Sequence, residues 1–135
     1  MSDLQFDWEA VVHRPVLAVV GRNQRRMNDG SVAWGALAFA VGDDAVVLTV
    51  TPDTDEIVAS HEPKPDGDGW LVVSALADAV GKPLGWCWVG TNYRGYCDSF
   101  TLAFGDIVPE ALQPRLTFLA EASSLSCFDL TPRSV

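Results

Sequence analysis

Apolar residues recur at the spacing of one helical face in two short stretches of the chain. The first stretch, residues 6–12, contains a candidate N-cap, Asp7, and the second, residues 74–81, begins with the candidate cap Ser74. A proline follows each stretch within a few residues, and Gly81 suits the left-handed position after a helix end. The pattern predicts a short α-helix at each place.

Runs rich in β-branched and aromatic residues, bounded by turn residues, follow both predicted helices and predict antiparallel strands. In each half the first strand reverses into a second one, through the long polar segment 23–30 or through the tight turn 92–95. The first strand is residues 16–20 in the first half and 84–91 in the second. The later strands are residues 45–51 and 56–60 in the first half, and residues 115–120 and 125–130 in the second.

Similar short sequence motifs occur in both halves of the chain in the same order. HRPVL, GRN, ALAF and GD of the first half recur as GKPLG, GTN, TLAF and GD in the second. We therefore predict two pseudo-repeated αββββ units, about residues 7–60 and 74–130, joined by an exposed linker at 61–69 and packed as one domain over residues 1–135. The predicted fold class is α+β, mainly antiparallel β with two short helices. This prediction is the same whether the recurring motifs come from a true duplication or arose independently.

The tight turn at 92–95 fixes a predicted pairing for the strands on either side of it. Asparagine at its first position and glycine at its last fit a type I turn whose glycine takes a positive φ. The pairs that follow are Asn92 with Tyr96, Gly90 with Asp98, Trp88 with Phe100 and Trp86 with Leu102. This register puts both tryptophans on the face of Phe100. It also separates Cys87 from Cys97, so we expect no disulfide between them.

The composition is that of one acidic domain. The chain has 135 residues, 48% of them hydrophobic, and its nine basic against eighteen acidic residues give a formal net charge of −9. This charge repels the phosphates of nucleic acids and anionic membranes, so we expect neither as a partner and favour a basic protein. Three cysteines without a C-x-x-C pair indicate reduced thiols and a cytoplasmic location. The first seven residues lack the features of an export signal, and no apolar window is long enough to span a membrane.

Candidate binding residues stand at two hairpin ends where the halves diverge. The second tip carries tyrosine and arginine, which are enriched at binding hot spots. The first loop holds the only concentration of positive charge, and its guanidinium groups suit a phosphate or a carboxylate. Either set is also typical of a solvated turn. The predicted binding residues are Tyr93, Arg94, Tyr96 and Asp98 at the tip, and Arg22, Arg25 and Arg26 in the loop.

No catalytic or metal-binding motif is present in the sequence. The two histidines, His13 and His61, lack the spacing of a metal site, and no nucleophile elbow, P-loop or dinucleotide fingerprint occurs. We therefore predict a protein without enzymatic activity, without a cofactor and without a metal ion.

The segment from Gly85 to Phe104 carries the pattern G-W-x-W followed by N-x-x-G-Y-x-D. In this pattern the chain resembles small uncharacterised bacterial domains, some of which are similar to immunity proteins encoded beside polymorphic toxins. The resemblance implies a toxin-neutralising or other protein-binding role and carries no catalytic residues.

The leading hypothesis is a non-enzymatic cytoplasmic protein that binds another protein, in its sharpest form an immunity protein that masks a basic toxin. Two alternatives stay open. One is a small-molecule binder or enzyme whose pocket lies between the two units and is lined by Trp86, Trp88, Tyr96 and Asp98. The other is a structural homo-oligomer, for instance a homodimer. If no such pocket exists, the aromatic face of the second hairpin is a stripe of the core.

Overall fold

Two antiparallel β-sheets packed face to face make up the fold. The structure is a computed structural model that describes residues 4–130, and the segment in which no export signal is expected lies partly outside this range, at residues 1–3. The five-stranded sheet has the order β6 (Glu56–Pro63), β5 (Asp44–Thr51), β4 (Ala36–Ala40), β1 (Ala18–Arg22) and β7 (Leu71–Val72). The six-stranded sheet has the order β2 (Arg25–Arg26), β3 (Val32–Trp34), β11 (Ser124–Asp129), β10 (Leu116–Glu121), β9 (Cys97–Phe104) and β8 (Leu84–Thr91).

The prediction of an α+β fold with two α-helices is wrong. The two predicted helices are 3₁₀ helices, Trp8–Ala10 and Ser74–Ala79, and a third lies at Glu110–Leu112. Inside the second of them, Leu76 has a non-helical φ of −111°. Apolar spacing and a cap residue are not sufficient to form an α-helix here. Each segment ends at a glycine or proline after only a few residues, so the few helical hydrogen bonds it can form do not offset the cost of nucleating an α-helix. The fold is mainly antiparallel β. None of its helices, over residues 4–130, has the length and apolar character to cross a bilayer.

Each half of the chain contributes four neighbouring strands to one sheet. The first half forms the meander β1, β4, β5, β6, and the second forms β8, β9, β10, β11. Each half also places a short piece in the other half's sheet: β2 and β3 extend the six-stranded sheet beside β11, and β7 extends the five-stranded sheet beside β1. The segments before the two meanders pair with each other at Pro15 and Pro83. A duplication of the chain stays a prediction.

The core lies between the two sheets and is dominated by phenylalanine and branched aliphatic side chains. Phe39 of β4 and Phe118 of β10 meet edge to face across the sheets, with ring centroids 5.7 Å apart. Burial of each such ring contributes about 1.5–3 kcal/mol. The largest fully buried side chains are Phe39, Phe100, Phe118, Leu37, Leu48, Ile57, Leu84, Leu102 and Leu125.

A second, smaller apolar cluster lies on the outer face of the five-stranded sheet. Ala38, Ala45 and Val47 are buried there, and Trp70 packs against them. The predicted linker, residues 61–69, is strand in its first part, because residues 61–63 are the end of β6. The chain then continues to Trp70, whose indole packs on the outer face of the sheet that contains β6. We call this cluster and its indole the Trp70 cover.

Candidate functional site

The β8–β9 hairpin ends in a turn with the predicted geometry. The Gly95 amide donates to the carbonyl of Asn92 at 2.9 Å, and the Asn92 amide donates to the carbonyl of Tyr96 at 2.9 Å. Gly95 has a φ of +88°, a left-handed conformation that glycine adopts without strain. The tip is therefore a tight, hydrogen-bonded loop.

The side chain of Asn92 holds the tip from inside. Its Oδ1 accepts hydrogen bonds from the amides of Arg94, at 2.9 Å, and Tyr96, at 3.3 Å. Its Nδ2 donates to Oδ2 of Asp98 at 3.2 Å. Tyr93 projects from this braced turn with 96% of its surface exposed. The predicted residues of the tip thus come together, with Asn92 and Asp98 as braces and Tyr93 as the most exposed side chain.

The predicted register fails beyond the turn because β9 carries a bulge. Thr91 pairs with Cys97 but Gly90 pairs with Ser99, so Asp98 has no partner on β8. One extra residue in a strand reverses which face the following side chains occupy. Trp88 therefore lies opposite Thr101 and not opposite Phe100.

The bulges place the two tryptophans of β8 outside the core. A second irregularity lies between Leu84 and Cys87, and Trp86 between them is 54% exposed. Trp88 is half-buried, whereas Phe100 of β9 stays in the core. The interpretation of the tryptophans as a core stripe is wrong, and they face the outside of the sandwich, away from the space between the sheets.

The two cysteines of the hairpin belong to different cross-strand pairs and are not joined by a disulfide. Cys97 lies opposite Thr91, as predicted, and Cys87 lies opposite Leu102. Burial raises the pKa of Cys87 to about 11. Burial, followed by the charge of Asp129, raises the pKa of Cys127 to about 12. Such thiols are poor nucleophiles at neutral pH, because the thiolate is the reactive form.

A groove of about 590 Å³ lies beside the start of β8. The first and third 3₁₀ helices contribute to its walls. The lining is mainly apolar, and its polar members, Glu9, His13 and Asp106, are all exposed. We call it the Trp86 groove, and it is lined by Trp8, Glu9, Val12, His13, Gly85, Trp86, Cys87, Asp106, Val108, Ala111 and Leu112.

Two contacts at Gly85 hold the groove in shape. The indole Nε1 of Trp8 donates to the carbonyl of Gly85 at 2.9 Å, which fixes the ring over β8. Ala111 packs so closely on the other side that a Cβ on Gly85 would lie 2.8 Å from the carbonyl oxygen of Ala111. Glycine is therefore required for the third 3₁₀ helix to approach the strand.

Most lining residues of the groove were not singled out by the sequence. Trp8 and Val12 are predicted as one face of a helix, and Val108 and Leu112 lie in the loop before the predicted strand at residues 115–120. The usable signal was the apolar character of that loop, in which Ile107 and Val108 are 68% and 69% exposed.

A family model matches residues 1–134. It describes a family of unknown function, DUF6334. The chain belongs to this family. Comparison with the curated proteins and with the solved structures gives no match.

In this DUF6334 domain the predicted arginines do not form one site. Arg22 ends β1 and lies over the ring of Trp70, with its Cζ 5.0 Å from the centroid. Arg25 donates from Nη2 to the carbonyl of Ala122 at 2.6 Å, and Arg26 donates from Nη1 to the carbonyl of Gly30 at 3.4 Å. The long polar reversal is thus a β2–β3 hairpin whose arginines have partners within the chain.

In the six-stranded sheet of this DUF6334 domain, Arg25 and Arg26 lie at the edge opposite to the β8–β9 hairpin that carries the tip residues. β2 and β8 are the two edge strands of the six-stranded sheet, five strand spacings apart, which corresponds to about 24 Å. A binding surface of ordinary size therefore does not include both groups of residues. Three exposed aromatic residues, Trp86, Tyr93 and Tyr96, lie on the β8–β9 hairpin.

A second cavity, of about 320 Å³, has a mixed lining. It contains Lys82 and Arg115 together with three carboxylates, and Nη1 of Arg115 is buried without a hydrogen-bond partner. Within the described part of the chain, no three potential metal ligands of the His, Cys, Asp and Glu types come together.

Proposed function

We propose that this domain binds another protein through the β8 edge and the tip of the β8–β9 hairpin. The observation that carries the proposal is the concentration of accessible aromatic side chains on this one hairpin. Tyr93 is 96% exposed, Trp86 54% and Tyr96 38%, and both tyrosines of the chain are among them. Tyrosine, tryptophan and arginine are the residue types that dominate binding hot spots.

The rigidity of the tip supports a binding role. Association is weakened when loops and side chains must be ordered. Asn92 already holds the turn through three side-chain hydrogen bonds, and Gly95 closes it. A partner therefore meets Tyr93 and Arg94 on a loop that needs little further ordering.

The open edge of β8 supports the same role. Within residues 4–130, the stretch 86–91 pairs with β9 alone and leaves its other side free. At the start of the strand that side is occupied, since the amide of His13 donates to the carbonyl of Leu84 at 2.7 Å. A free edge strand is a template for one more strand, and such addition is a common mode of peptide recognition.

The net charge favours a basic partner. At −9 the domain attracts cationic proteins over the range of the screened field, about 8 Å at physiological salt. In its finer form the proposal is an immunity-like protein that neutralises a basic toxin in the cytoplasm. Rescue of growth on co-expression with a toxin encoded beside it tests this finer form.

Site-specific photo-crosslinking in cells of the native host tests the binding proposal. Benzoylphenylalanine replaces Tyr93 in one chain and Leu71 in a control chain. Leu71 is 67% exposed on β7, in the other sheet. We expect one discrete adduct from position 93 and none of that mass from position 71.

Three results would contradict the proposal. These are identical adducts from both positions, no adduct from position 93, or an adduct of twice 14.6 kDa. The last result would identify a second copy of the chain and support self-association in place of a different partner.

A further inference from the structure

We infer that the Trp86 groove receives a cationic side chain, lysine or arginine, of the bound protein. The inference rests on the proposed function and deepens it, since it names the chemistry of one contact. Its support comes from the size and lining of the groove, its charge, and an equivalent contact elsewhere in the same molecule.

The size and lining of the groove suit an aliphatic stem. Its volume of about 590 Å³ lies within the usual range for ligand pockets. Trp8, Val12 and Leu112 offer apolar surface beside Trp86. Lysine and arginine bury their methylene stems on such surfaces and keep the charged end near water.

The charge of the groove selects a cation over an anion. Glu9 and Asp106 line it and are exposed, and no lysine or arginine contributes to its lining among the described residues. A carboxylate ligand would be repelled by both side chains. An ammonium or guanidinium group would gain from both, and it would also gain from the face of Trp86.

The molecule already contains the contact that we infer. At the Trp70 cover, the guanidinium of Arg22 lies over an indole at 5.0 Å. Within the described chain Trp86 has no such cation, although more than half of its surface is exposed. A side chain from a partner would supply at Trp86 what Arg22 supplies at Trp70.

The groove is also preorganised. Trp8 is oriented by its hydrogen bond to Gly85, and Ala111 packs against the other side of the same residue. A ligand therefore enters a space whose walls are fixed by contacts within the domain, which lowers the ordering cost of binding.

Binding of small probes to the full chain tests the inference. The probes are N-acetyl-lysine methylamide, its norleucine analogue, which lacks only the charged amine, and free n-hexylamine. The five tryptophan indole signals are followed by NMR, and Trp86→Phe assigns the signal of interest. We expect the lysine probe to shift the Trp86 signal and to bind about two- to fivefold more tightly than the norleucine probe.

Matched variants separate the groove from the bulk charge. Glu9→Gln with Asp106→Asn removes two carboxylates of the groove, and Asp66→Asn with Asp68→Asn removes two exposed ones from the segment after β6. The first pair should reduce the preference for lysine over norleucine to what the face of Trp86 alone gives, and the second pair should leave the preference unchanged.

Several outcomes would overturn the inference. They are no shift of the Trp86 signal, equal binding of the two amino-acid probes, equal effects of the two variant pairs, and hexylamine binding tenfold more tightly than the lysine probe. The last outcome would indicate a site for free amines. A Tyr93 adduct without lysine binding refutes this inference alone, and lysine binding without an adduct refutes the proposed function.

Discussion

Trp70 and Trp86 lie on the outside of opposite sheets, and the chain treats them differently. Trp70 packs on Ala38, Ala45 and Val47 and carries Arg22 over its ring. Trp86 lies in a groove with carboxylates and is 54% exposed. One outer surface is closed by the chain itself, and the other is left open. The difference indicates that the first indole serves stability, and it supports the proposal that the second contacts a partner.

The local chain explains why only one indole is covered. After β6 the backbone has enough residues to return across its own sheet, so Trp70 reaches an alanine-rich face on which a large ring fits. Trp86 lies within the register irregularity between Leu84 and Cys87, which turns it outward, and no segment of the described chain covers it as Trp70 covers its sheet. A bulge at a sheet edge commonly redirects a side chain in this way.

Removal of each indole gives the largest contrast. We expect Trp70→Ala to lower the free energy of unfolding by about 2–3 kcal/mol, because it uncovers Ala38 and Val47. Trp86→Ala should lower it by no more than about 1 kcal/mol, since about half of that side chain is already in water. Urea unfolding of both variants measures the difference. Equal losses would contradict the separation of the two roles.

The next contrast concerns two glycines of β8. Gly85→Ala should cost about 1–2 kcal/mol, because the new Cβ meets the backbone of Ala111 at 2.8 Å and pushes the third 3₁₀ helix away. Gly90→Ala meets only the hydroxyl of Ser99, which rotates away, so its cost should be near zero. Urea unfolding of both variants measures the two costs.

The lysine probe adds a second measurement to this contrast. It should bind to Gly90→Ala as to the parent chain and more weakly to Gly85→Ala. If Gly85→Ala retains full stability and full lysine binding, the close approach at Ala111 does not shape the groove.

The strands and the hairpin turn were predictable because both depend on local rules. Runs of β-branched and aromatic residues between turn residues predicted the strands of both meanders, and Asn92 with Gly95 predicted the turn, since only certain residues tolerate its backbone angles. The helices failed because a local face and cap do not determine whether enough residues follow to sustain an α-helix.

The candidate site was only partly predictable. The tip at Tyr93 is continuous in sequence and was found, whereas the Trp86 groove joins Trp8, Trp86 and Leu112 from three distant segments. The bulge at Asp98 and the irregularity between Leu84 and Cys87 decide which way Trp86 and its neighbours point, and no residue type marks such irregularities uniquely. Orientation therefore had to come from the structure.

The thiol in the wall of the groove predicts a pH effect. Burial raises the pKa of Cys87 to about 11 from 9.0, so between these values the unfolded chain loses a proton that the folded chain keeps. The stability from this group is present below pH 9 and is lost as the pH rises toward 11. Because Cys87 is partly solvated, we expect a loss of about 0.5–1 kcal/mol from pH 8 to pH 10.

Cys87→Ala isolates this pH effect. The variant keeps every lysine and tyrosine of the chain, so their titration cancels in the comparison of urea unfolding at the two pH values. The variant should lose less stability than the parent chain over this range. Parallel losses would show that the thiol ionises as readily in the folded protein as in the unfolded one.

The smallest expected effect is that of removing Arg22, whose guanidinium group lies over the ring of Trp70. Arg22→Gln removes the guanidinium 5.0 Å from the Trp70 ring and should lower the free energy of unfolding by about 0.5–1 kcal/mol. In the Trp70→Ala background the same substitution should cost almost nothing, so a double-mutant cycle measures the coupling. A coupling energy of zero would mean that an exposed guanidinium group placed over an indole ring adds no stability in this molecule. The same contact would then be a poor precedent for a partner's lysine at Trp86.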